Sequence, residues 1–408
     1  MIATLAECQA RDAADPLAPF RDRFALPDGV IYLDGNSLGA LPRDTAARVG
    51  RVIEAEWGEG LVRSWNEAHW IDAPQRVGAK IARLLGAAGD EVLVADSTSV
   101  NLYKLLRAAL SAEPGRRTIL TEPGNFPTDL HIAQGIAAQL PGVGVRTVPR
   151  DDIVAVVDAG TVVLLTHVHY KTGERYDLAA VTQAVRERGG IVVWDLSHSI
   201  GAVELDLAAA GAELAVGSGY KYLNGGPGAP AFVFVARELQ AGLGSPITGW
   251  FGHADPFAFA DDYAPAPDLA RFMSGTPPIL GLAALESGVD LLLEADMAQV
   301  AAKGQALCDL FIERVDALCP DLELVTPRDA AVRGSHVSFR HPHGYAVMQA
   351  LIERGVIGDF RTPDVVRFGF APLYNSFAEA WRAAEVLAEV LQTRAWDDSA
   401  FRVRARVT

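Results

Sequence analysis

Only five lysines, Lys80, Lys104, Lys171, Lys221 and Lys303, occur in the 408 residues, and Lys221 has the surroundings best suited to chemistry. It lies in Gly217-Ser218-Gly219-Tyr220-Lys221-Tyr222-Leu223-Asn224-Gly225-Gly226-Pro227-Gly228, directly after an apolar run. Glycines on both sides permit tight turns and the close approach of a ligand. A lysine at a strand's carboxyl end, flanked by tyrosines, is a candidate Schiff-base former for a carbonyl group. Taken alone, the segment reads equally well as a surface hairpin with an incidental lysine. Lys80, Lys104 and Lys303 fall in helical patterns and are expected on solvated faces.

Upstream, Ile191-Val192-Val193-Trp194-Asp195-Leu196-Ser197-His198 closes an apolar run with a carboxylate. The carboxyl edge of an open α/β sheet is where ligands bind. Pyridoxal phosphate needs a carboxylate there: paired with the pyridine nitrogen, it keeps the ring protonated and able to draw electrons from a carbanion. A lone Asp at a strand end is commonly a helix cap, but Asp195 followed by Lys221 after the next apolar run, with His198 between them, is a sharper pattern. Asp96-Ser97-Thr98-Ser99 follows another apolar run and opens a helical pattern. It offers hydroxyls and free N–H groups to a phosphate, or forms an ordinary Ser/Thr cap. In Glu122-Pro123-Gly124-Asn125-Phe126-Pro127-Thr128-Asp129, Pro127 can start a helix, leaving Phe126 free to stack on a flat heterocycle with Asp129 one turn in. Phosphate loop, stacking aromatic, strand-end Asp and strand-end Lys, in that order, are expected of a fold-type I pyridoxal-phosphate enzyme.

Two other groups carry less. The spacing of His167 and His169 puts both rings on one strand face, but no Cys or carboxylate stands in ligand spacing beside them, so a strand-end or loop role is favoured and no metal is expected. Lys171 precedes the strand-end Asp, the wrong order for this fold.

The elements that must hold these residues follow from the hydrophobic pattern. Short β-branched runs at 91–95, 118–121, 161–167, 191–195, 214–218 and 231–235 read as strands. Between several of them, three- and four-residue apolar spacing at 101–112, 129–139 and 177–188 reads as helices. The alternation predicts an α/β fold, a mostly parallel central sheet with helices on both faces, plus a smaller α+β domain. In that smaller domain, strands are expected near 322–326, 336–340 and 365–369, and helices over 279–315, 344–353 and 376–393. The expected division is 1–40 as an N-terminal arm packing on the small domain, 41–278 as the cofactor-binding domain, and 279–408 as the small domain. Thirty-six basic against 51 acidic side chains give a net charge of −15, the wrong sign for nucleic acid or an anionic membrane. Cys8, Cys308 and Cys319 are widely separated and in no metal spacing, which fits a reducing compartment. With no apolar signal region and no run long enough to span a bilayer, a soluble cytoplasmic chain is expected.

Seven blocks together resemble the kynureninase family: Tyr32-Leu33-Asp34-Gly35-Asn36-Ser37-Leu38-Gly39, the 97–102 and 125–129 loops, Asp195-Leu196-Ser197-His198, the 219–228 segment, Gly249-Trp250-Phe251-Gly252-His253 and Ala371-Pro372-Leu373-Tyr374-Asn375-Ser376-Phe377. The resemblance runs from about residue 30 to 390. It implies a homodimer, with active sites at the subunit interface, that hydrolyses L-kynurenine to anthranilate and L-alanine. It further implies that Lys221 carries pyridoxal phosphate, Asp195 pairs with the pyridine nitrogen, Phe126 stacks on the ring and His198 joins the same shell. Thr98, Ser99, Asp129, Tyr220, Trp250 and Thr276 match positions that contact the cofactor, the Trp250 and Thr276 segments being candidates to come from the partner subunit. Arg367 matches the arginine for the substrate α-carboxylate, and Asn36, Trp65 and Thr276 match substrate-binding positions. An apolar ring at Trp65 suits kynurenine over its 3-hydroxy derivative. Tyr220, beside Lys221, is the candidate general acid. Three other readings stay open: a cysteine desulfurase of the same fold, which needs a reactive Cys on a mobile loop, an aminotransferase, and a pyridoxal-phosphate-binding regulator without catalysis.

Overall fold

The computed structural model describes residues 4–405. A short strand β1 (Ile31–Tyr32) precedes a seven-stranded sheet made of β2 (Val92–Val94), β3 (Thr118–Thr121), β4 (Gly144–Thr147), β5 (Thr161–Thr166), β6 (Ile191–Asp195), β7 (Leu214–Gly217) and β8 (Phe232–Val235). Their spatial order is β2-β8-β7-β6-β5-β3-β4. Strands β4, β3, β5, β6 and β7 are parallel, and β8 runs against both β7 and β2. Every residue of β5 to β8 is buried, as a sheet covered on both faces requires. Strand β4 is absent from the expected set: it is a largely exposed edge whose residues lack an apolar run.

Because β2 is antiparallel to β8, and β8 to β7, the carboxyl ends of β2, β3, β5, β6 and β7 all open on one edge. The Ser/Thr loop, the Phe126 loop, Asp195 and the Lys221 loop therefore converge although they are far apart in the chain.

A second sheet comprises β9 (Glu323–Leu324), β10 (His336–Arg340), β12 (Asp359–Arg361) and β13 (Val365–Gly369), in the order β12-β13-β10-β9 and fully antiparallel. The intervening β11 (Val356–Ile357) pairs in parallel with β1. The register sets Arg367 opposite Ser338 on one side and Asp359 on the other. Helices Met297–Leu318, Gly344–Glu353 and Phe377–Gln392 bury an apolar core against this sheet. The N-terminal helix Leu5–Ala14 opens with a Thr4/Glu7 capping box. Its Asp12 carboxylate accepts from the N–H groups of Phe377 (2.6 Å) and Ala378 (2.9 Å), capping that helix from outside. Among the described residues, no helix is long and apolar enough to cross a membrane.

Three lysines depart from the expected solvated faces. Lys104 is fully buried, its ammonium held by Asp96 and the Phe272 carbonyl. Lys303 is buried against Asp15 (2.6 Å) and the Pro372 carbonyl (2.6 Å). Lys80 is half-buried between Glu286 and Asp290. Each long stem spans two elements distant in sequence, so helical spacing alone does not reveal the partner.

Candidate active site

Lys221 sits just past β7 and is buried, with its ammonium 5.5 Å from the centre of the Phe126 ring and 5.8 Å from that of Tyr220. The loop that carries it is clasped by the N-terminal segment. Gly39 N–H donates to the Tyr220 carbonyl (2.8 Å), and a Cβ on Gly39 would lie 2.2 Å from the Lys221 carbonyl oxygen, so no larger residue fits there. Burial pushes the Lys221 ammonium down to about 8; Asp195 opposes that shift, and Arg367 and Arg361 add to it.

Asp195 ends β6 and is buried. Its Oδ1 accepts from the Ser197 N–H at 2.7 Å, and the Ser197 hydroxyl accepts from the Ser218 N–H at 3.1 Å, which ties the ends of β6 and β7 together. Burial raises the Asp195 carboxyl and the nearby Lys221 charge lowers it. Asp129 is fully buried in the first turn of helix Pro127–Gln139, its Oδ2 accepting from the Thr166 hydroxyl at 3.1 Å. Burial first, and the charge of Asp195 second, push its carboxyl well up. His198 is buried, held neutral by burial, and meets His336 edge to face at 5.5 Å.

Thr98 and Ser99 open helix Thr98–Ala112 behind the Ser97 cap. The Ser99 hydroxyl lies 3.0 Å from that of Thr128, so the starts of two helices meet side by side. Two positive helix ends at one point would suit an anion. Asp96, at φ +47°, precedes this loop, and Lys104 neutralises it.

Arg367 is buried on β13. Its Nε donates to Asp359 Oδ1 at 2.8 Å and its Nη2 to Asp359 Oδ2, so this edge of the fork is already taken. Nη2 also donates to the Ser37 hydroxyl (2.9 Å) and Nη1 to the Tyr170 carbonyl, so one Nη1 N–H is left without a protein partner. Asn36 packs on Gly369 and, with its amide oxygen turned to Arg367, accepts from Nε at 3.0 Å. Asp34, Ser37, Tyr170, Asp359, Arg361 and His336 are additions to the residues expected from sequence. The available signal was the period of two along β12 and β13, which turns Asp359, Arg361, Val365 and Arg367 to one face.

Residues 300–387 match the kynureninase C-terminal domain family. Kynureninase of Pseudomonas fluorescens is 52% identical over 98% of this chain and 99% of that protein, and kynureninase of Burkholderia mallei strain SAVP1 is 51% identical over 99% of this chain and 100% of that protein. The chain belongs to the kynureninase family. The apo structure of a cysteine desulfurase from Thermococcus onnurineus NA1 has the same fold, with a TM-score of 0.78 at 21% identity over 92% of this chain and 98% of that one. So does a C-DES variant with glycine covalently linked to its PLP cofactor, with a TM-score of 0.78 at 17% identity over 90% of this chain and 98% of that one. Pyridoxal phosphate, the cofactor of this kynureninase-family chain, fits the residues present. Asp129 Oδ1, His198 Nδ1 and Ser218 Oγ are buried polar atoms with no hydrogen-bond partner in the protein, Asp129 in the first turn of its helix and the other two just past β6 and β7.

Not every expected residue joins this cluster within one chain. Thr276 is exposed, Trp250 is 43% exposed and packs on Phe251 and Phe257, and Trp65 packs edge to face on Trp70 (5.7 Å) and beside Phe251 (6.1 Å). His167 is spent on the Ser199 hydroxyl (2.8 Å) and the Tyr176 carbonyl, and His169 on the Gly124 carbonyl (2.9 Å). Among the described residues, no group of metal-ligating side chains could hold an ion. The Lys171 ammonium donates to the Thr362 carbonyl at 2.8 Å. Cys8, Cys308 and Cys319 are all buried free thiols, and burial pushes Cys308 up to about 12, the opposite of what a sulfur-transferring thiolate needs.

Proposed function

We propose that the chain hydrolyses L-kynurenine at its Cβ–Cγ bond to anthranilate and L-alanine with the residues assigned below. The activity is that of the family. The observation that carries the assignment is Lys221, a buried amine between Asp195, Asp129 and the Phe126 ring. When bound, pyridoxal phosphate supplies the electron sink for charge that develops on the substrate.

Asp195 would hold the pyridine N–H, a role suited to a carboxylate buried at a strand end. Phe126 and His198 would bracket the ring, and Thr98 and Ser99 with the paired helix starts would hold the phosphate; Asp129 completes the polar shell. Arg367 would take the substrate α-carboxylate through its free Nη1 N–H and, in place of the Ser37 hydroxyl, its Nη2 N–H, with Asn36 and Asp359 fixing the plane of the guanidinium. Lys221, with its affinity for protons lowered by burial, takes the proton from the substrate α-carbon at neutral pH, which an ordinary lysine would do poorly. Water adds to the γ-carbonyl, and the Tyr220 hydroxyl, on the residue beside Lys221, would return a proton.

Trp250 and Thr276 are assigned to the active site of a partner subunit, which makes the protein a homodimer. Support comes from exposed apolar side chains: Trp57 and Leu280 line one recess, and Trp250 packs on Phe257 at 5.8 Å. The acidic charge and three unpaired cysteines favour the cytoplasm. The rings around Trp65 favour kynurenine over 3-hydroxykynurenine. Purified protein loaded with pyridoxal phosphate should release anthranilate and alanine in equal amounts from kynurenine, faster than from its 3-hydroxy derivative. Lys221→Ala should abolish both turnover and the bound cofactor's absorbance. Steady turnover by that variant would overturn the assignment.

A further inference from the structure

Beside Phe126 lies a cavity of about 460 Å³ that Lys221 does not line, between the 126–127 and 170–171 loops on one side and Tyr345, residues 360–362 and residues 404–405 on the other. Its walls are aromatic. Phe126 meets Tyr170 edge to face at 5.1 Å, and Tyr345 meets Phe360 in the same way at 5.8 Å. Its charges are all positive: Lys171, Arg361 and Arg404 line it, and no carboxylate does among the described residues. In a chain with a net charge of −15, an acid-free, triply cationic recess is not the surface average. The Arg404 guanidinium lies over the Tyr345 and Phe360 rings at 5.7 and 5.2 Å, and Lys171 lies 5.8 Å from the Tyr170 ring. Arg361 Nε is buried without a partner. Through its Nη2, Arg361 shares Ser37 and Asp359 with Arg367, so the recess and the seat of the substrate carboxylate have a common wall.

We propose that this cavity is a second binding site, for an aromatic carboxylate of the class of the reaction's own ring product, 2-aminobenzoate. Flat rings offer stacking faces, and three cations in one recess offer charge-assisted bonds to a single carboxylate. Phosphate would find the charges but waste the aromatic walls, and a neutral ring would leave the cations uncompensated. Occupancy here would hold product at the mouth of the site and slow turnover as product accumulates. The inference rests on the proposed function only for the identity of the acid.

The test uses holoenzyme of the wild type, K171A/R404A and K171E/R404E. Lys171 is half-buried and Arg404 is exposed, so neither change opens the core. Binding of 2-aminobenzoate is measured by equilibrium dialysis, and its inhibition of kynurenine turnover by initial rates. The wild-type isotherm should contain a component that weakens at least about fivefold in K171A/R404A and further in K171E/R404E, with the product-inhibition constant rising in step. At zero product, kcat and KM for kynurenine should stay within about twofold. Superimposable isotherms would overturn the proposal. So would a fall in kcat/KM with product binding unchanged, since the recess would then serve substrate entry. Failure of the proposed function reads differently: wild-type enzyme would form no 2-aminobenzoate at all.

Discussion

Arg367→Lys keeps the charge and removes the planar fork, so it isolates what geometry contributes. In the structure the guanidinium makes two bonds to Asp359, one to the Ser37 hydroxyl and one to the Tyr170 carbonyl. A lysine ammonium has three donors on a flexible stem and cannot face Asp359 and a substrate carboxylate with paired bonds at once. Hydrogen bonds to charged groups are worth about 1.5–3 kcal/mol each. The one free N–H lost toward the substrate therefore removes at least about 1.5 kcal/mol, or roughly a tenfold fall in kcat/KM at 1.4 kcal/mol per tenfold. The interaction exists with substrate and transition state alike, so most of the fall should appear as a raised KM. Folding should suffer less, because Arg361 and the new ammonium both still face Asp359. Arg367→Ala, by contrast, strips one partner from a buried pair, a change that costs about 3–5 kcal/mol, and its Tm should fall clearly. Anthranilate fluorescence gives the kinetics, the absorbance of bound pyridoxal phosphate reports an intact site, and calorimetry gives Tm. An Arg367→Lys enzyme within about threefold of wild-type kcat/KM would refute the assignment of the substrate carboxylate to this side chain.

Two further outcomes follow from the same geometry. Gly39→Ala puts a Cβ 2.2 Å from the Lys221 carbonyl and 2.8 Å from the Asn224 Cα; backbone cannot rotate aside, so stability should drop by about 1–3 kcal/mol and kcat should fall through displacement of Lys221, with a wild-type kcat counting against the clasp. KM for kynurenine should rise as the pH passes about 8, where Asp34 gains its charge beside Arg367; Asp34→Asn should flatten that rise, and an unchanged alkaline limb would refute Asp34 as its source.

What the sequence made legible follows a physical division. Strands β5 to β8 announce themselves because a sheet buried on both faces needs continuous apolar runs, and the loops after them carry Asp195 and Lys221 at ends the pattern defines. Helix Pro127–Gln139 begins at the proline that the local rules assign to its first turn. Strand β12 has three residues, so its period of two registers only together with that of β13. The shell around Arg367 is drawn from residues 34–37, 170 and 359–361, segments that meet only through the pairing of β12 with β13 and the contact of Asp34 with Gly369. Alternation along β12 and β13 shows that Asp359, Arg361 and Arg367 share a face, but local spacing does not show that residues 34–37 and 170 meet it. Resemblance supplied Arg367 and Asn36 but not the acids that hold them, and the burial of Lys104 was hidden for the same reason.

Those acids explain how a buried arginine can stay receptive. Arg367 and Arg361 bring two positive charges; Asp359, held well below the usual carboxylate range despite its burial by the arginines beside it, returns one negative charge. Asp34 stands in the same pocket, but burial and the charge of Asp359 push it up to about 8, so at neutral pH it is protonated. Two coupled acids thus divide the work: one is ionised and orients the guanidinium, the other is neutral and fills space without cancelling charge. One unit of positive charge remains at Arg367, which would match the one carboxylate proposed to bind there. Were both acids ionised, the cluster would be neutral before substrate arrived and the bonds from Arg367 would act without net attraction. Were neither ionised, two unpaired arginines would be buried side by side. The split between the two acids is therefore the condition under which Arg367 can be both folded in and available.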